Sequence, residues 1–319
     1  MNAPAKRRSR WKKPPIIRED GSQHRAQPTE NDEAIFKLLS ADYAQRRPWG
    51  YRALRTNYIS ALLQRDHSTT IQRLDVLAAK PNNYVYLPEQ PKNNFRHLIY
   101  ALDENGAKHL GAKKPRHSRY FRHELMQCDI AASFELATIE QEHVKLFSWP
   151  TLLSEDRFPP ATRKLPNPAY IPVADREAIR ADWDPFVLKV EGKAKPYTFM
   201  PGFEADTGTE PLDATDPARS SIRKKFLDYL YVIDKRIYAS HFGASTFIVP
   251  FITMDQTRME GMMQLLEQII RERDYPKEYA RRFIFKHIPG FYDKPAPPTG
   301  HMVAEPWQRA LHPPFSFME

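Results

Sequence analysis

Four carboxylates in the second half of the chain fall into two pairs of equal spacing. Asp182 and Asp184 stand two residues apart, and so do Glu204 and Asp206. In an extended strand, residues i and i+2 share a face, so each pair presents both acids on one side. The runs 184–190 and 197–204 read as strands, with Gly192-Lys193 able to turn one into the other. A hairpin sets the start of its first strand beside the end of its second, which brings Asp184 against Glu204. Carboxylates held together repel unless a cation shares them, and hard oxygen donors suit Mg²⁺ or Mn²⁺. Such an ion, held by Asp184 and Glu204, would polarise a phosphodiester and activate water. Acids at strand ends also cap helices and pair with arginine, and this chain is rich in arginine.

The elements that must position these acids can be read from periodicity. An amphipathic helix over 120–142 carries Leu125, Ile130, Phe134, Leu136 and Ile139, and the strand 144–149 follows. Residues 150–180 hold many prolines and read as a loop-rich insertion with a short helix near 174–180. After the two acid-bearing strands comes a helix over 217–239 with Ile222, Phe226, Tyr229, Leu230 and Ile233 on one face. A β-branched strand at 246–253, a helix at 259–271 and a strand at 283–287 complete an α-β-β-β-α-β-α-β order. Met254, Met259, Met262 and Met263 read as packing. Gly208, in the turn Thr207-Gly208-Thr209, is the residue for a positive φ. The run Arg223, Lys224, Lys225 reads first as a solvated helix face and second as a backbone-contacting one.

The first half has a different pattern. Thr29 to Asp32 can cap a helix over 32–46, with Ile35, Leu38, Leu39 and Tyr43 at helical spacing. A second helix spans 51–63, and a third spans 69–79 with Ser68 as its cap. Strands at 84–87 and 98–102 flank a polar tip at 88–94, and a short helix spans 104–110. Three helices followed by a hairpin describe a winged helix. In such a unit the later helix enters the major groove with its first residues leading. Those are Thr69, Thr70, Gln72 and Arg73, expected to point outward. The wing would carry Lys92, Asn93, Asn94 and Arg96 to a neighbouring backbone or minor groove. The same module also docks proteins.

Charge is placed unevenly. Residues 1–18 carry Lys6, Arg7, Arg8, Arg10, Lys12, Lys13 and Arg18 without an acid, so seven of the nine net positive charges sit in that arm. A basic arm attracts phosphates without reading sequence, and Trp11 within it could stack on a base. No apolar run is long enough to span a membrane, and the basic N-terminus lacks the apolar stretch of a signal peptide. The single cysteine, Cys128, excludes an internal disulfide and a cysteine-based zinc site. These features fit a cytoplasmic, nucleoid-associated protein. There is no phosphate-cradling glycine loop, no Ser/His/Asp signature and no Cys/His ligand spacing. The organisation is therefore a basic arm at 1–30, a winged helix at 31–112, an α/β domain at 113–288 and a proline- and aromatic-rich tail at 289–319.

The strand order, with Asp184 and Glu204 on neighbouring strands, resembles the PD-(D/E)XK nuclease core, a restriction-endonuclease-like αβββαβ fold. The resemblance implies that Asp184 and Glu204 hold Mg²⁺ or Mn²⁺. In that superfamily a lysine two residues after the glutamate assists the attacking water. Asp206 occupies that position here, so Lys225 on the following helix, or Lys189 on the strand, would have to stand in. The segments Phe203-Glu204-Ala205-Asp206-Thr207-Gly208-Thr209-Glu210-Pro211, Ser220-Ser221-Ile222 and Lys225-Phe226 with Tyr229-Leu230 resemble the replication-relaxation family of plasmid, phage and mobile-element proteins. Residues 98–107 and Arg122-His123-Glu124-Leu125 agree with it, and the likeness spans most of 30–250. His123 matches a family position, although a lone helix histidine is more often a packed, hydrogen-bonded residue. The resemblance implies an α+β protein that binds duplex DNA as an accessory to replication or mobilisation of an extrachromosomal or integrated element. A metal-dependent endonuclease or nickase using Asp184, Glu204, Asp206 and Lys225 is the alternative. A third is a docking component of a phage or plasmid complex, contacting replication, mobilisation or phage proteins through its tail.

Overall fold

The computed structural model describes residues 26–41, 49–88, 98–117, 120–154, 158–173, 177–214, 219–291 and 297–319. The chain divides at about residue 118 into two compact units, each mixing helices with small sheets.

The first unit begins with α1 (Glu30–Leu38). Its N-cap is Thr29, whose side chain accepts from the Asp32 amide while Asp32 accepts from the Thr29 amide, a reciprocal capping box. Leu39 ends the helix well short of the expected residue 46. The expected second helix is divided: Leu54–Arg55 form a short strand, β1, and α2 runs from Thr56 to Leu62. Helix α3 spans His67–Ala78. Its cap is Asp66 rather than Ser68, because the carboxylate reaches the Thr69 amide at 2.8 Å. Strands β2 (Val85–Tyr86) and β3 (Ile99–Leu102) are followed by α4 (Glu104–Leu110). Strand β3 lies in the middle of an antiparallel sheet ordered β1-β3-β2, with Leu54 opposite Tyr100 and Val85 opposite Leu102. The sheet and helices enclose Phe36, Trp49, Tyr51, Leu74 and Tyr100, all fully buried.

The second unit opens with the 20-residue helix α5 (Phe121–Glu140) and strand β4 (Val144–Phe147). Short helices α6 (Trp149–Ser154) and α7 (Pro160–Arg163) follow. The expected helix near 174–180 is absent from its described part, where Ile179 instead bridges to Ile171. Strand β5 (Phe186–Val190) pairs antiparallel with β4 and with β6 (Tyr197–Met200), so the expected hairpin forms with Phe186 opposite Met200. The second strand of that hairpin does not run through to Glu204. Pro201 lacks an amide donor, and Gly202 at φ 123° takes a conformation that side chains disfavour. A Cβ on Gly202 would stand 2.1 Å from the Trp183 carbonyl oxygen. Beyond this break, β7 (Glu204–Asp206) joins a different sheet, parallel to β8 (Val249–Thr253), which is parallel to β9 (Phe283–His287).

Parallel neighbours need crossovers, and helices supply them. The expected helix over 217–239 is two helices, α8 (Ile222–Asp234) and α9 (Ile237–Phe242), divided where Arg236 turns to φ 52°. Helix α10 (Gln256–Glu272) connects β8 to β9. Phe226 of α8 packs 4.8 Å from Phe251 and 5.5 Å from Phe283 between ring centroids. Met259 and Met262 are buried in the same core, the packing role their spacing implies. The described end of the chain is part of this unit rather than a loose extension. Helix α11 (His301–Ala304) packs on α5, Gln308 bridges to Phe285, and Trp307 is fully buried with its indole N–H donating to the Met302 carbonyl. No helix among the described residues is long and apolar enough to cross a membrane.

Candidate functional site

Both acids of β7 are buried, Glu204 at 3% and Asp206 at 5% exposure. Alternation puts them on one face, yet their partners differ. Asp206 is closed off as an ion pair. Arg258 near the start of α10 grips it from two nitrogens, one of them 2.9 Å from Oδ1, and Thr253 and the Gly208 amide donate at 3.1 and 3.2 Å. Gly208 takes φ 79°, the positive value its place in the turn requires. These bonds tie β7 to β8, to α10 and to the turn at Gly208.

Glu204 faces α8. Ser221 caps that helix, and Ile222, Phe226, Leu230 and Ile233 face its core. This orientation puts Lys225 and Tyr229, one helical turn apart, on the flank toward β7. Lys225 Nζ donates to Glu204 Oε2 at 2.8 Å, and the Tyr229 hydroxyl donates to Oε1 at 2.6 Å. The ammonium also lies 3.2 Å from Glu210. Burial pushes the Glu204 carboxyl up to about 7, with Lys225 pulling against the shift and the charge of Asp182 adding to it. For Lys225, burial works against the charged form, but Glu204, Asp182 and Glu210 outweigh it and hold the amine protonated.

The second acid at this centre is Asp182, not Asp184. The Asp182 amide bonds the Phe203 carbonyl at 3.1 Å, and its Oδ2 accepts from the Ala205 amide at 2.9 Å. These bonds lay Asp182 along β7, whereas Asp184 is close enough to Arg180, at 3.4 Å, to pair with it. The reason is that β5 begins only at Phe186, so the extended alternation that would have aligned Asp184 with Glu204 has not started. His123 of α5 completes the group. Its Nε2 lies 3.2 Å from Asp182 Oδ2 and 2.8 Å from the Ala205 carbonyl, and Gln127 is 3.2 Å from Nδ1. Burial disfavours a charged imidazole, but Asp182 and the Ala205 carbonyl outweigh it and raise the His123 pKa. Burial likewise opposes the Asp182 charge, yet His123, Lys225 and the Ala205 amide bring its pKa below the ordinary carboxylate value.

A cleft of about 770 Å³ has Glu204, Lys225 and Tyr229 in its wall and Arg180, Arg219 and Lys224 among its other lining residues. Arg219 and Lys224 are exposed. Of the lysines considered as stand-ins, Lys225 reaches Glu204. Lys189 instead pairs with Glu191 at 3.0 Å, which also holds Lys145 across the strand pair. The donors at this centre do not fit a divalent ion as arranged. Both oxygens of Glu204 already accept hydrogen bonds, and Asp182 Oδ2 is shared by His123 and Ala205. Among the described residues, no three His, Cys, Asp or Glu side chains are disposed to hold a metal.

In the first unit, Thr69 and Gln72 of α3 are exposed, as the outward reading required. Thr70 and Arg73 are not outward. Thr70 is buried at 4% and its hydroxyl donates to the Asp66 carbonyl at 2.8 Å. Arg73 turns back onto α1, where its Nε donates to Asp32 Oδ1 at 2.7 Å. The buried Asp32 carboxylate is met there by the Arg73 guanidinium. Lys92, Asn93, Asn94 and Arg96, together with Lys6, Arg7, Arg8, Arg10, Lys12 and Lys13, lie outside the described residues. Sequence reasoning missed Tyr229 as a partner of Glu204 and Glu210 as a second partner of Lys225. The spacing of Lys225 and Tyr229 on one helix was the available signal, but Tyr229 read as core. Compared with known proteins, the chain matches no family model, no curated protein and no solved structure.

Proposed function

We propose that this chain is a DNA-binding accessory protein whose N-terminal unit is a winged helix contacting duplex DNA. In line with its resemblance to the replication-relaxation family, it would serve replication or mobilisation of a plasmid, phage or integrated element. The observation that carries the reading is the α1-β1-α2-α3-β2-β3 order with β3 central in an antiparallel β1-β3-β2 sheet. It leaves Thr69 and Gln72 exposed in the first turns of α3, the end of a recognition helix that meets base edges. Gln suits this role because its amide can pair with adenine in the major groove. The test is fluorescence anisotropy of the full chain on a selected duplex and on random duplex across a salt series. Gln72→Ala should weaken binding to the selected duplex about fivefold and leave random duplex within about twofold. Equal losses on both would remove the base-reading role, and absence of binding at low salt would remove the DNA reading altogether.

A second reading, a metal-dependent endonuclease on a PD-(D/E)XK-like core, draws on Glu204 and Lys225 meeting in the wall of one cleft, with Asp182 bonded to the Ala205 amide next along β7. The contacts already made by both Glu204 oxygens make it the weaker one. Mn²⁺-dependent nicking of supercoiled plasmid, lost in Glu204→Ala, would reverse that order.

A further inference from the structure

Arg223 and Arg258 of the C-terminal unit each meet a carboxylate. Three other arginines of this unit do not. Arg281 and Arg282 end the 3₁₀ helix Lys277–Arg282 that leads into β9, and Arg309 lies on the returning end of the chain. Two anchors lay that return antiparallel to residues 281–285. Gln308 and Phe285 exchange amide-to-carbonyl bonds at 2.9 Å, and Arg281 Nε donates to His312 Nδ1 at 3.4 Å. Arg309 falls between the two anchors, alongside both arginines. His312 is itself fixed, donating from Nε2 to the Lys277 carbonyl at 2.9 Å. Rings hold the other two guanidinium groups. Arg309 lies 4.4 Å from the Phe315 ring centroid, and Arg282 lies 5.9 Å from that of Tyr238. Such stacking fixes the plane of a guanidinium fork without using its N–H groups.

Neither Arg282 nor Arg309 donates a hydrogen bond to a described residue, and the buried Nε of Arg309 has no acceptor there. Among the described residues no carboxylate pairs with any of the three. Burial, and then the charges of Arg281 and Arg282, lower the Arg309 pKa, as expected of like charges gathered without a counter-ion. Arg281 is exposed, and Arg282 and Arg309 are half-buried. We propose that Arg281, Arg282 and Arg309 form a phosphate-contacting patch on the C-terminal unit, and that its partner is the backbone of duplex DNA. A guanidinium fork held in one plane matches phosphate oxygens on two atoms. An open patch of three such forks suits phosphates carried along a strand rather than a single enclosed ion. Contacts of this kind position a duplex and add affinity without reading its sequence. The identity of the partner rests on the DNA-binding reading above, but the patch is separate from α3 and is tested separately from it.

The experiment measures fluorescence anisotropy of the full chain on random duplex across a salt series. It compares the native protein, the triple variant Arg281→Gln/Arg282→Gln/Arg309→Gln, Arg281→Gln alone, and Gln72→Ala. A control, Lys164→Gln/Lys195→Gln/Arg273→Gln, removes the same charge from exposed positions elsewhere in the unit. Loss of the patch should make the slope of log affinity against log salt shallower by about 2, and weaken binding at about 50 mM salt on the order of a hundredfold. Arg281→Gln should change the slope by about 1, which keeps the test decisive if the triple variant does not fold. The control and Gln72→Ala should leave the slope within about 0.5 of native. An unchanged slope in the folded triple variant, or in Arg281→Gln where the triple does not fold, would overturn the patch and leave the DNA-binding reading standing. An equal change in the control would overturn it in the same way. A shallower slope confined to the patch variants would uphold it even if Gln72→Ala proved to carry no base reading. Absence of duplex binding by the native chain at low salt would overturn both.

Discussion

The Asp32–Arg73 pair of the N-terminal unit and the Glu204–Lys225 pair of the C-terminal unit are both buried carboxylates met by a cation from another element. Their geometry gives them opposite characters. Asp32 is enclosed: Arg73 reaches both of its oxygens, and Thr29 donates to Oδ2 through its amide at 2.8 Å and its hydroxyl at 2.9 Å. A guanidinium fork matches a carboxylate on two atoms and leaves little for anything else to do. Asp206 with Arg258 repeats that arrangement. Glu204 is held by a lysine, a point charge shared with Glu210, in the wall of a cleft. The difference teaches that a guanidinium closes a carboxylate on both atoms within one unit, whereas a lysine shared by two acids leaves its pair at the edge of a cleft.

The comparison breaks most visibly at Asp32. Asp32→Ala removes a helix cap and strands the Arg73 charge, so the unfolding free energy of the N-terminal unit should fall by about 3 kcal/mol in urea titrations. A loss under about 1 kcal/mol would mean that this pair is not a closed structural element.

A smaller effect, with a pH signature, is expected at Glu204. Its carboxyl titrates near 7 in the folded protein, above the ordinary 4.5. A raised pKa stabilises the folded state fully below about 4.5, and that contribution is lost as pH rises through about 7. Between pH 5 and pH 8 the native C-terminal unit should therefore lose on the order of 2 kcal/mol more than Glu204→Gln does. Parallel profiles for the two proteins would show that Glu204 is not held against ionisation. His123, raised in the folded state, adds a loss of the same sign as pH climbs past about 6.5.

The smallest change in stability is expected on the exposed face of α3. Gln72→Ala should leave unfolding within about 0.5 kcal/mol of native while weakening specific DNA binding. Arg73→Ala should do the reverse, lowering stability through Asp32 with no selective loss on the chosen duplex. If the two variants exchanged phenotypes, the assignment of Arg73 to structure and Gln72 to recognition would fail.

The candidate site was half legible. Residue type and spacing point to Glu204, the nuclease resemblance points to Lys225 or Lys189, and it is Lys225 that meets Glu204. Asp184 was chosen from strand alternation, and the partner is Asp182, because the strand starts later than its apolar pattern suggests. Arg73 looked free because a lone arginine on a helix carries no mark of the carboxylate waiting 41 residues earlier. The break at Pro201-Gly202 was visible as two residues hostile to a strand. Its effect, sending Glu204 into a second, parallel sheet, was not.

What the sequence by itself determined is local. It set which faces of α5, α8 and α10 are apolar, which runs extend, that Thr29 and Asp32 cap a helix, that Gly208 turns and that the methionines pack. These follow from periodicity and backbone preference within a few residues. The tertiary structure alone decided which cation reaches which carboxylate. It also decided that Asp206 is locked while Glu204 lines a cleft, and that Trp307 closes a core rather than trailing in a tail. Those outcomes depend on groups distant along the chain arriving within about 3 Å of one another. A buried charge accepts whichever partner the packing of whole elements delivers, and no local pattern encodes that delivery.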